Sequence, residues 1–508
     1  MKKLLNNLKK FLKPKQVLDK PEDLHLYDTD ATALFKNKPR LVLIPYTVEE
    51  VSKILSEINL YNASLKNPKE KLSFVARGAG TGLSGGAIAA ENSVLISLAM
   101  LSKLIFVDYE NRVALVEAGY VNATLNKALL GTGLHFAPDP SSQLACTIGG
   151  NIAENAGGIH CYKYGVTADH VLGMEIVLPN GEIKHIGSLV SELSDIVEPV
   201  PDTRSAMPAK CSLKFKNTLS DLDVTGLFIG TEGTFGIVTK ALLKLTPNQE
   251  AFITIQVSFS STLTCAEVVS ELIRQGFKPA ALEIIDNHAV RAVNAAYNLG
   301  FSDEVKAVLL IELDGIDEEI LKESHRIETL VSDFKPLSYK TTQDLAERLK
   351  LWKVRKGSAS AFGRIAPFWY LYDAVVPRSK IPAALQGVER IAEKYNLMLA
   401  NLVHAGDGNL HPNFLYDPEK DTTVIERIFE ASHEIMRLCV DLGGTLSGEH
   451  GIGVEKQEYM DYLFSPNDMQ KMLDLRAIFD PEYISNPDKI FPIKVCKECH
   501  REVLVHEL

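Results

Sequence analysis

The chain has 508 residues, a net charge of −11, 46% hydrophobic residues and 23% charged ones. That length exceeds a single hydrophobic core and implies two or three domains of ordinary globular composition, while the acidic balance argues against a nucleic-acid binder. Seven cysteines do not make a disulfide scaffold and fit a reducing compartment, and no apolar run reaches the roughly 18 residues of a membrane span.

The N-terminus carries Lys2, Lys3, Lys9, Lys10, Lys13 and Lys15, with Met1, Leu4, Leu5, Leu8, Phe11 and Leu12 at helical spacing on one face. Two readings stay open: a basic helix lying on an anionic membrane surface, or a helix docked on its own domain. Asp19 to Asp30 is polar and turn-like. Arg40 to Pro45 reads as a strand, and Thr47-Val48-Glu49-Glu50 as a capping box that opens a helix carrying Val51, Ile54, Leu55 and Ile58 on one face. Phe74-Val75-Ala76 leads into a glycine-rich loop, Arg77 to Gly86, with five glycines in the nine residues from Gly78. Backbone without Cβ approaches a ligand closely, and its successive N–H groups form a nest for a diphosphate. Gly80 to Gly85 satisfies G-x-G-x-x-G, but the nicotinamide fingerprint needs a helix next and an acid about 20 residues on. Strand-like Val94 to Leu98 follows instead, which rules out that reading.

Val113 to Glu117 reads as a strand and Asn122 to Gly131 as a helix. A second unusual stretch follows: Pro138-Asp139-Pro140-Ser141-Ser142, then Cys146 to Gly158, with four glycines in the ten residues from Gly149. Val171 to Leu178 reads as a strand ending in a Pro-Asn-Gly turn. Gly226 to Ile237 is a third glycine-dense stretch. Three within some 160 residues are more simply parts of one ligand cradle than independent turns.

In this order the three stretches resemble the FAD-binding domain of the FAD-linked oxidases of the vanillyl-alcohol oxidase family, and within it the D-2-hydroxyacid dehydrogenase branch, from about Val17 to Pro492. The resemblance implies an α+β fold: a two-subdomain FAD-binding domain, an α+β substrate (cap) domain, and a C-terminal segment returning to the FAD domain. The expected boundaries are 1–37 for the lead-in, 38–247 for FAD, 248–440 for the cap, 441–495 for the C-terminal segment and 496–508 for a tail. It further implies FAD contacts from Arg77, Gly78, Ala79, Gly80, Thr81, Gly82, Ser84, Gly85, Pro138, Asp139, Ser142, Thr147, Gly149, Gly150, Asn151, Asn155, Gly158, Glu232, Gly236 and Ile237. Some relatives link the flavin covalently through a His in the first loop. Arg77 to Gly86 contains none, so non-covalent FAD is expected, with Cys146 and His160 read as buried, satisfied side chains.

Beyond Pro247, Phe252 to Phe259 alternates as a strand with Thr254, Gln256 and Ser258 at its polar positions. Cys265 to Gln275 reads as a helix, Val305 to Leu313 as a strand and Glu318 to Ser332 as a charged helix, which together read as an α+β domain. Asp344 to Ala361 is a further helical stretch; its basic residues Arg348, Lys350, Lys353, Arg355 and Lys356 read mostly as a solvated face. The resemblance singles out Arg355, in Leu351-Trp352-x-x-Arg355, as the residue that binds the substrate carboxylate, a task suited to a planar bidentate fork. Relatives specific for dicarboxylates place a lysine shortly before Asp373 to Pro377. Tyr370-Leu371-Tyr372 stands there instead, which disfavours 2-hydroxyglutarate.

Leu397 to Val403 ends in His404-Ala405-Gly406-Asp407-Gly408-Asn409-Leu410-His411, where Gly-Asp-Gly-Asn is hairpin-turn chemistry that can bring the two histidines together. By themselves two such histidines are equally a metal site or ordinary packing. With Gly443 to Gly453, which holds Glu449 and His450, the resemblance implies a divalent metal (Zn, Mn or Fe) on His404, His411 and Glu449, His450 as catalytic base, and substrate contacts from Arg355 and Asn409. The implied reaction is oxidation of a small 2-hydroxy acid, glycolate or D-lactate, with an iron–sulfur, quinone or cytochrome electron acceptor. A D-2-hydroxyglutarate dehydrogenase and an electron-relay subunit are the alternatives. The expected location is cytoplasmic, with peripheral contact at the inner membrane face left open. Ala477 to Pro492 resembles the family's closing segment, with Asp488 where a glycine is common. The Cys496-x-x-Cys499-His500 tail leaves several readings open: an inert tail, a redox pair or a contact with an iron–sulfur partner.

Overall fold

A computed structural model describes residues 1–32, 35–188 and 223–492; the Cys496/Cys499 tail lies outside the described residues. The chain divides into two compact units. Met1–Gly158, Val166–Asn248 and Glu449–Leu508 form the first; Ile159–Gly165 and Gln249–Gly448 form the second.

In the first unit, β1 (Val17–Leu18), β2 (Leu41–Leu43), β3 (Ser73–Arg77) and β4 (Ser93–Ser97) form a sheet in the order β1-β2-β4-β3, with β2 and β3 both parallel to β4. Leu4 and Leu8 of α1 (Lys2–Leu8), with Leu12, lie in one core with Val51, Ile54, Leu55 and Ile58 of α2 (Val48–Ala63). Each such leucine contributes about 1.5–3 kcal/mol on full burial. The apolar face of the N-terminal helix is therefore used inside its own unit, and the six lysines are exposed. Thr47 caps α2 through the Glu50 N–H at 3.3 Å, but the other half of the capping box is displaced. The Glu50 carboxylate accepts from Tyr46 N–H at 2.6 Å and Gln16 Nε2 at 2.7 Å.

The second sheet of this unit is antiparallel, β5 (Leu104–Asp108), β6 (Val113–Glu117), β8 (Val171–Val177), β9 (Ile183–Gly187) and β10 (Ile237–Lys244), ordered β5-β6-β10-β8-β9; β7 (Leu134–His135) pairs with β11 (Thr246–Pro247). Ile148 and Ile152 of α3 (Ile148–Glu154) join its core with Val116, Met174 and Ala241. The strand after the first glycine loop is real: β4 lies alongside β3 where a Rossmann loop would open a helix. The C-terminal segment returns as expected. Phe74 N–H donates to Ile484 O at 2.8 Å, and Asn486 N–H to Phe74 O at 2.7 Å, so the chain lines the free edge of β3. Asp488 has φ of 60°, the left-handed geometry that a glycine takes easily and Asp tolerates.

The second unit is one antiparallel sheet of β12 (Ala251–Phe259), β13 (Ala281–Asp286), β14 (Ala307–Gly315), β15 (Ser338–Thr342), β16 (Phe368–Leu371), β18 (Met398–His404) and β19 (Asn409–Tyr416), ordered β15-β12-β14-β13-β18-β19-β16, with β17 (Ala374–Val375) also on β19. Helices α4 (Thr262–Arg274), α6 (Asp317–Ser332) and α9 (Ile381–Lys394) cover one face; α5 (Asn287–Tyr297), α7 (Leu345–Lys356) and α8 (Ser358–Phe362) cover the other. The expected single helix over 344–361 is thus two, broken at Gly357, where a Cβ would stand 2.7 Å from both Lys353 O and the Tyr297 ring. Alternation in β12 is present, but Thr254, Gln256 and Ser258 are all buried, because the polar face lies under α7. Gln256 Nε2 donates to Leu351 O at 3.3 Å, and Thr254 Oγ1 to Glu312 at 3.1 Å. The 281–286 and 338–342 strands lacked a periodic signal.

Asp286 closes β13 and caps α5, accepting from Ala289 N–H at 3.0 Å and from Asn401 N–H at 2.6 Å. Burial raises its pKa to about 6 against the pull of those N–H groups. An acid with a raised native pKa stabilises fully below its unfolded pKa, and that contribution is lost as pH rises through the native value. Chemical denaturation of wild type and Asp286→Asn should therefore show wild type losing stability relative to the variant between about pH 4 and 6, by about 1.4 kcal/mol per unit. A constant gap across that window would refute the assignment.

Candidate active site

The three glycine stretches meet in the first unit. A Cβ on Gly78 would stand 2.2 Å from Thr147 Oγ1, and one on Gly86 would stand 2.8 Å from Glu154 Oε1 and 3.4 Å from Glu232 Oε2. Loop, helix α3 and the 226–237 segment therefore approach one another at the positions where side chains are missing. Thr147 caps α3 through Gly150 N–H at 3.3 Å, and Asn155 ends it in the left-handed region at φ 51°. Gly158 lies against Asp139, whose Oδ1 would be 2.5 Å from a Cβ there. Asn122 Nδ2 holds Pro138 O at 2.9 Å. Gly236 and Ile237 enter β10 against Val177. Arg77 turns back into its own loop: its guanidinium sits over Tyr27, 5.9 Å from the ring centroid, and would be 2.1 Å from a Cβ on Gly80. Glu232 has its carboxylate on the backbone N–H groups of Ile452 and Gly453. Burial, then the Glu232 charge, pushes Glu154 well above the usual carboxylate range.

In the second unit the 404–411 hairpin folds as its turn chemistry predicts. Gly408 has φ 78°, and a Cβ there would meet Val376 O at 2.1 Å. His411 pairs with Leu402, which sets the His404 and His411 rings 5.0 Å apart and perpendicular. Both imidazoles are oriented through Nδ1: His404 to Glu283 Oε1 at 2.6 Å, His411 to Tyr372 O at 2.9 Å. A neutral imidazole that donates from Nδ1 presents its lone pair at Nε2. Arg355 donates from Nε to the other Glu283 oxygen at 2.6 Å and lies 3.3 Å from His404 Nε2. One fully buried carboxylate thus holds both residues. Although burial alone would raise its pKa, its partners His404 and Arg355 hold Glu283 low. Asn409 stands at the turn, where a Cβ on Gly448 would be 2.5 Å from its Nδ2. Buried Asp373 accepts from Ser447 Oγ at 2.6 Å and from Gly448 N–H at 3.1 Å, and so fixes the chain just before Glu449. Glu449 and His450 themselves belong to the first unit, their side chains 3.8 Å apart.

Comparison with known proteins identifies the two domains. Residues 39–187 match an FAD binding domain, and residues 248–490 match the C-terminal domain of FAD linked oxidases. The glycolate oxidase subunit GlcD of Escherichia coli K12 is 34% identical over 477 residues, 94% of this chain and 88% of that protein. The chain belongs to the FAD-linked oxidases. A D-lactate dehydrogenase of Anaerostipes hadrus is 29% identical over 491 residues, 95% of this chain and 96% of the relative. A 4-ethylphenol oxidase from Gulosibacter chungangensis in its isoeugenol complex shares the fold, with a TM-score of 0.73 at 18% identity over 97% of this chain and 98% of that one. So does p-cresol methylhydroxylase with substrate bound, at 0.72 and 17% over 97% of each.

As an FAD-linked oxidase the protein is an FAD-dependent oxidoreductase, and the residues of its first unit fit that cofactor. The loop offers backbone concavity where a Cβ would intrude, and Ser84 Oγ and Asn151 Nδ2 are buried without a hydrogen-bond partner among the described residues, as suits small polar groups that face a ligand. Among those residues no helix is long and apolar enough to cross a membrane.

The sequence pattern alone misses a second buried carboxylate and misplaces a cation. Glu312 accepts from Arg348 Nε at 2.8 Å and Nη2 at 2.5 Å, and from Trp352 Nε1 at 2.7 Å, with His160 Nε2 at 3.3 Å. Arg348 is therefore not part of a solvated face. His160, on a short segment of the second unit, faces Glu312, and Cys146 is buried with a raised thiol pKa. The available signal was a carboxylate set between apolar residues, Glu283 in Ala281–Asp286 and Glu312 in Ala307–Gly315; such a charge is tolerated only with a partner. Replacement of Glu283 by Gln should lower turnover about 10–100-fold, as loss of an orienting partner does. It should also lower the unfolding temperature, because Arg355 is left buried without its counter-charge. Steady-state kinetics and calorimetry check this; wild-type turnover in the variant would refute it.

Proposed function

We propose that this FAD-linked oxidase oxidises a small 2-hydroxy acid, glycolate or D-lactate, to the 2-oxo acid. The observation that carries the reading is the joint hold of Glu283 on Arg355 and His404: a carboxylate-binding fork and a ligand-oriented imidazole are fixed side by side by one charge. The relatives are consistent with it, since those named above are a glycolate oxidase subunit and a D-lactate dehydrogenase.

In this reading His404, His411 and Glu449 hold a divalent cation, whose contribution when bound is to acidify the substrate hydroxyl. The donor set suits one: two imidazoles with Nε2 lone pairs and a carboxylate, with coordination positions left over. FAD in the first-unit cradle supplies the hydride acceptor. Arg355 pairs the substrate carboxylate with the guanidinium edge that Glu283 does not occupy. Asn409 supplies a further polar contact. His450 removes the hydroxyl proton, a task for a side chain that titrates near neutrality. Tyr370 and Tyr372 are buried and packed edge to face at 4.7 Å, and no lysine stands among 370–372 for a second carboxylate, so monocarboxylates are favoured.

Anaerobic mixing of the holoenzyme with glycolate, D-lactate, L-lactate and D-2-hydroxyglutarate tests the substrate class. Glycolate or D-lactate should bleach the flavin band; bleaching by none of the four would mark the chain as a relay. His450→Ala should slow flavin reduction about 10²–10⁴-fold, and a near-wild-type rate would remove His450 as base. Dialysis against a chelator should abolish turnover and added Zn, Mn or Fe should restore it; full activity in demonstrably metal-free protein would remove the metal from the mechanism.

A further inference from the structure

The segment Glu449-His450-Gly451-Ile452-Gly453 is built around a carboxylate that its own sequence does not contain. Glu232 Oε1 accepts the N–H of Ile452 at 2.7 Å and of Gly453 at 3.0 Å, and Oε2 accepts the Gly453 N–H at 2.8 Å. Gly451 and Gly453 have φ of 86° and 52°, so the backbone curls into a nest that presents its N–H groups to an anion. No larger residue fits. A Cβ on Gly451 would be 2.4 Å from Glu154 Oε2 and 2.9 Å from Glu232 Oε1, and one on Gly453 would be 2.0 Å from Ser84 O. Fully buried Lys456 closes the other side, its Nζ donating to Gly451 O at 3.1 Å. Val454 and Glu455 N–H both donate to Ser84 O, at 2.8 and 3.1 Å. Glu232 is itself anchored: Asn486 Nδ2 donates to Glu232 O at 2.6 Å and to Gly86 O at 2.9 Å.

We propose that Glu232 is a positioning residue for His450. Its carboxylate binds the nest immediately after the histidine and so sets the backbone from which His450 and Glu449 project. Charge-assisted N–H bonds of this kind are the stronger class of hydrogen bond, and a displacement of about 1 Å at a reacting group can cost about 10²-fold in rate. The proposal rests on the reading of His450 as base, so its test carries a readout independent of that reading.

Hydrogen exchange on the FAD-loaded wild type should place the Ile452 and Gly453 amides among the slowly exchanging sites of the first unit; free exchange there overturns the clamp without any variant. In Glu232→Gln, whose amide presents an N–H₂ where an acceptor is needed, those two amides should exchange at least about tenfold faster. The same variant should retain FAD and show kcat reduced about 10–100-fold with KM nearly unchanged. Glu232→Asp, which keeps the charge, should recover part of kcat. Unchanged kcat in Glu232→Gln despite faster exchange overturns the positioning role. If His450→Ala proves unimpaired while the exchange results stand, the base assignment has failed and the clamp has not.

Discussion

Buried carboxylate charge, and the obligation to pair it, organises both units. In the second unit Glu283 and Glu312 lie on one face of the sheet, since Glu283 pairs with Leu310, two residues along β14 from Glu312. Helix α7 answers with Arg348, Trp352 and Arg355, spaced four and three apart and so on one face. A charge removed from water costs several kcal/mol unless its partner is in place, so the helix can dock in one register only. That register sets Arg355 beside His404. The polar residues of β12 are buried under the same helix, with Gln256 on Leu351 O and Thr254 on Glu312.

In the first unit the equivalent role falls to a carboxylate that binds backbone rather than cations. Three glycine stretches distant in sequence come together, and the first lacks a Cβ where the other two need space, as at Gly78 against Thr147 and Gly86 against Glu154 and Glu232. Close backbone approach leaves N–H groups that must find acceptors. Glu232 supplies one for the 452–453 turn, and the C-terminal return through Phe74 supplies others. Cofactor cradle and closing segment are therefore one piece of hydrogen bonding.

Much of this is legible in the amino-acid sequence. The strand after Arg77 to Gly86 excludes the nicotinamide fingerprint, the Gly-Asp-Gly-Asn turn predicts that His404 and His411 come together, and the 477–492 motif predicts the return to the FAD domain. The misses share a cause. Glu283 and Glu312 sit in apolar runs whose period announces a strand but not what crosses it. Arg348 reads as solvated because helical spacing shows which residues share a face and not what that face meets. The break at Gly357 depends on the Tyr297 ring, sixty residues away. The lysine-rich N-terminus offers two partners for its apolar face, and only packing of Leu4, Leu8 and Leu12 into a core chooses between them.

The sequence by itself determined the glycine loops and the hairpin turn, because these act over a few residues and carry their geometry locally, and the family resemblance carried by those motifs implied the cofactor and the candidate reacting groups. Only the tertiary structure decided how those groups are held: Glu283 between Arg355 and His404, Asp373 on Gly448, Glu232 on the turn after His450. The physical reason is that a buried carboxylate is stabilised by whichever donors surround it, and those donors, at separations of 72, 75 and 220 residues, are brought to it by the fold alone.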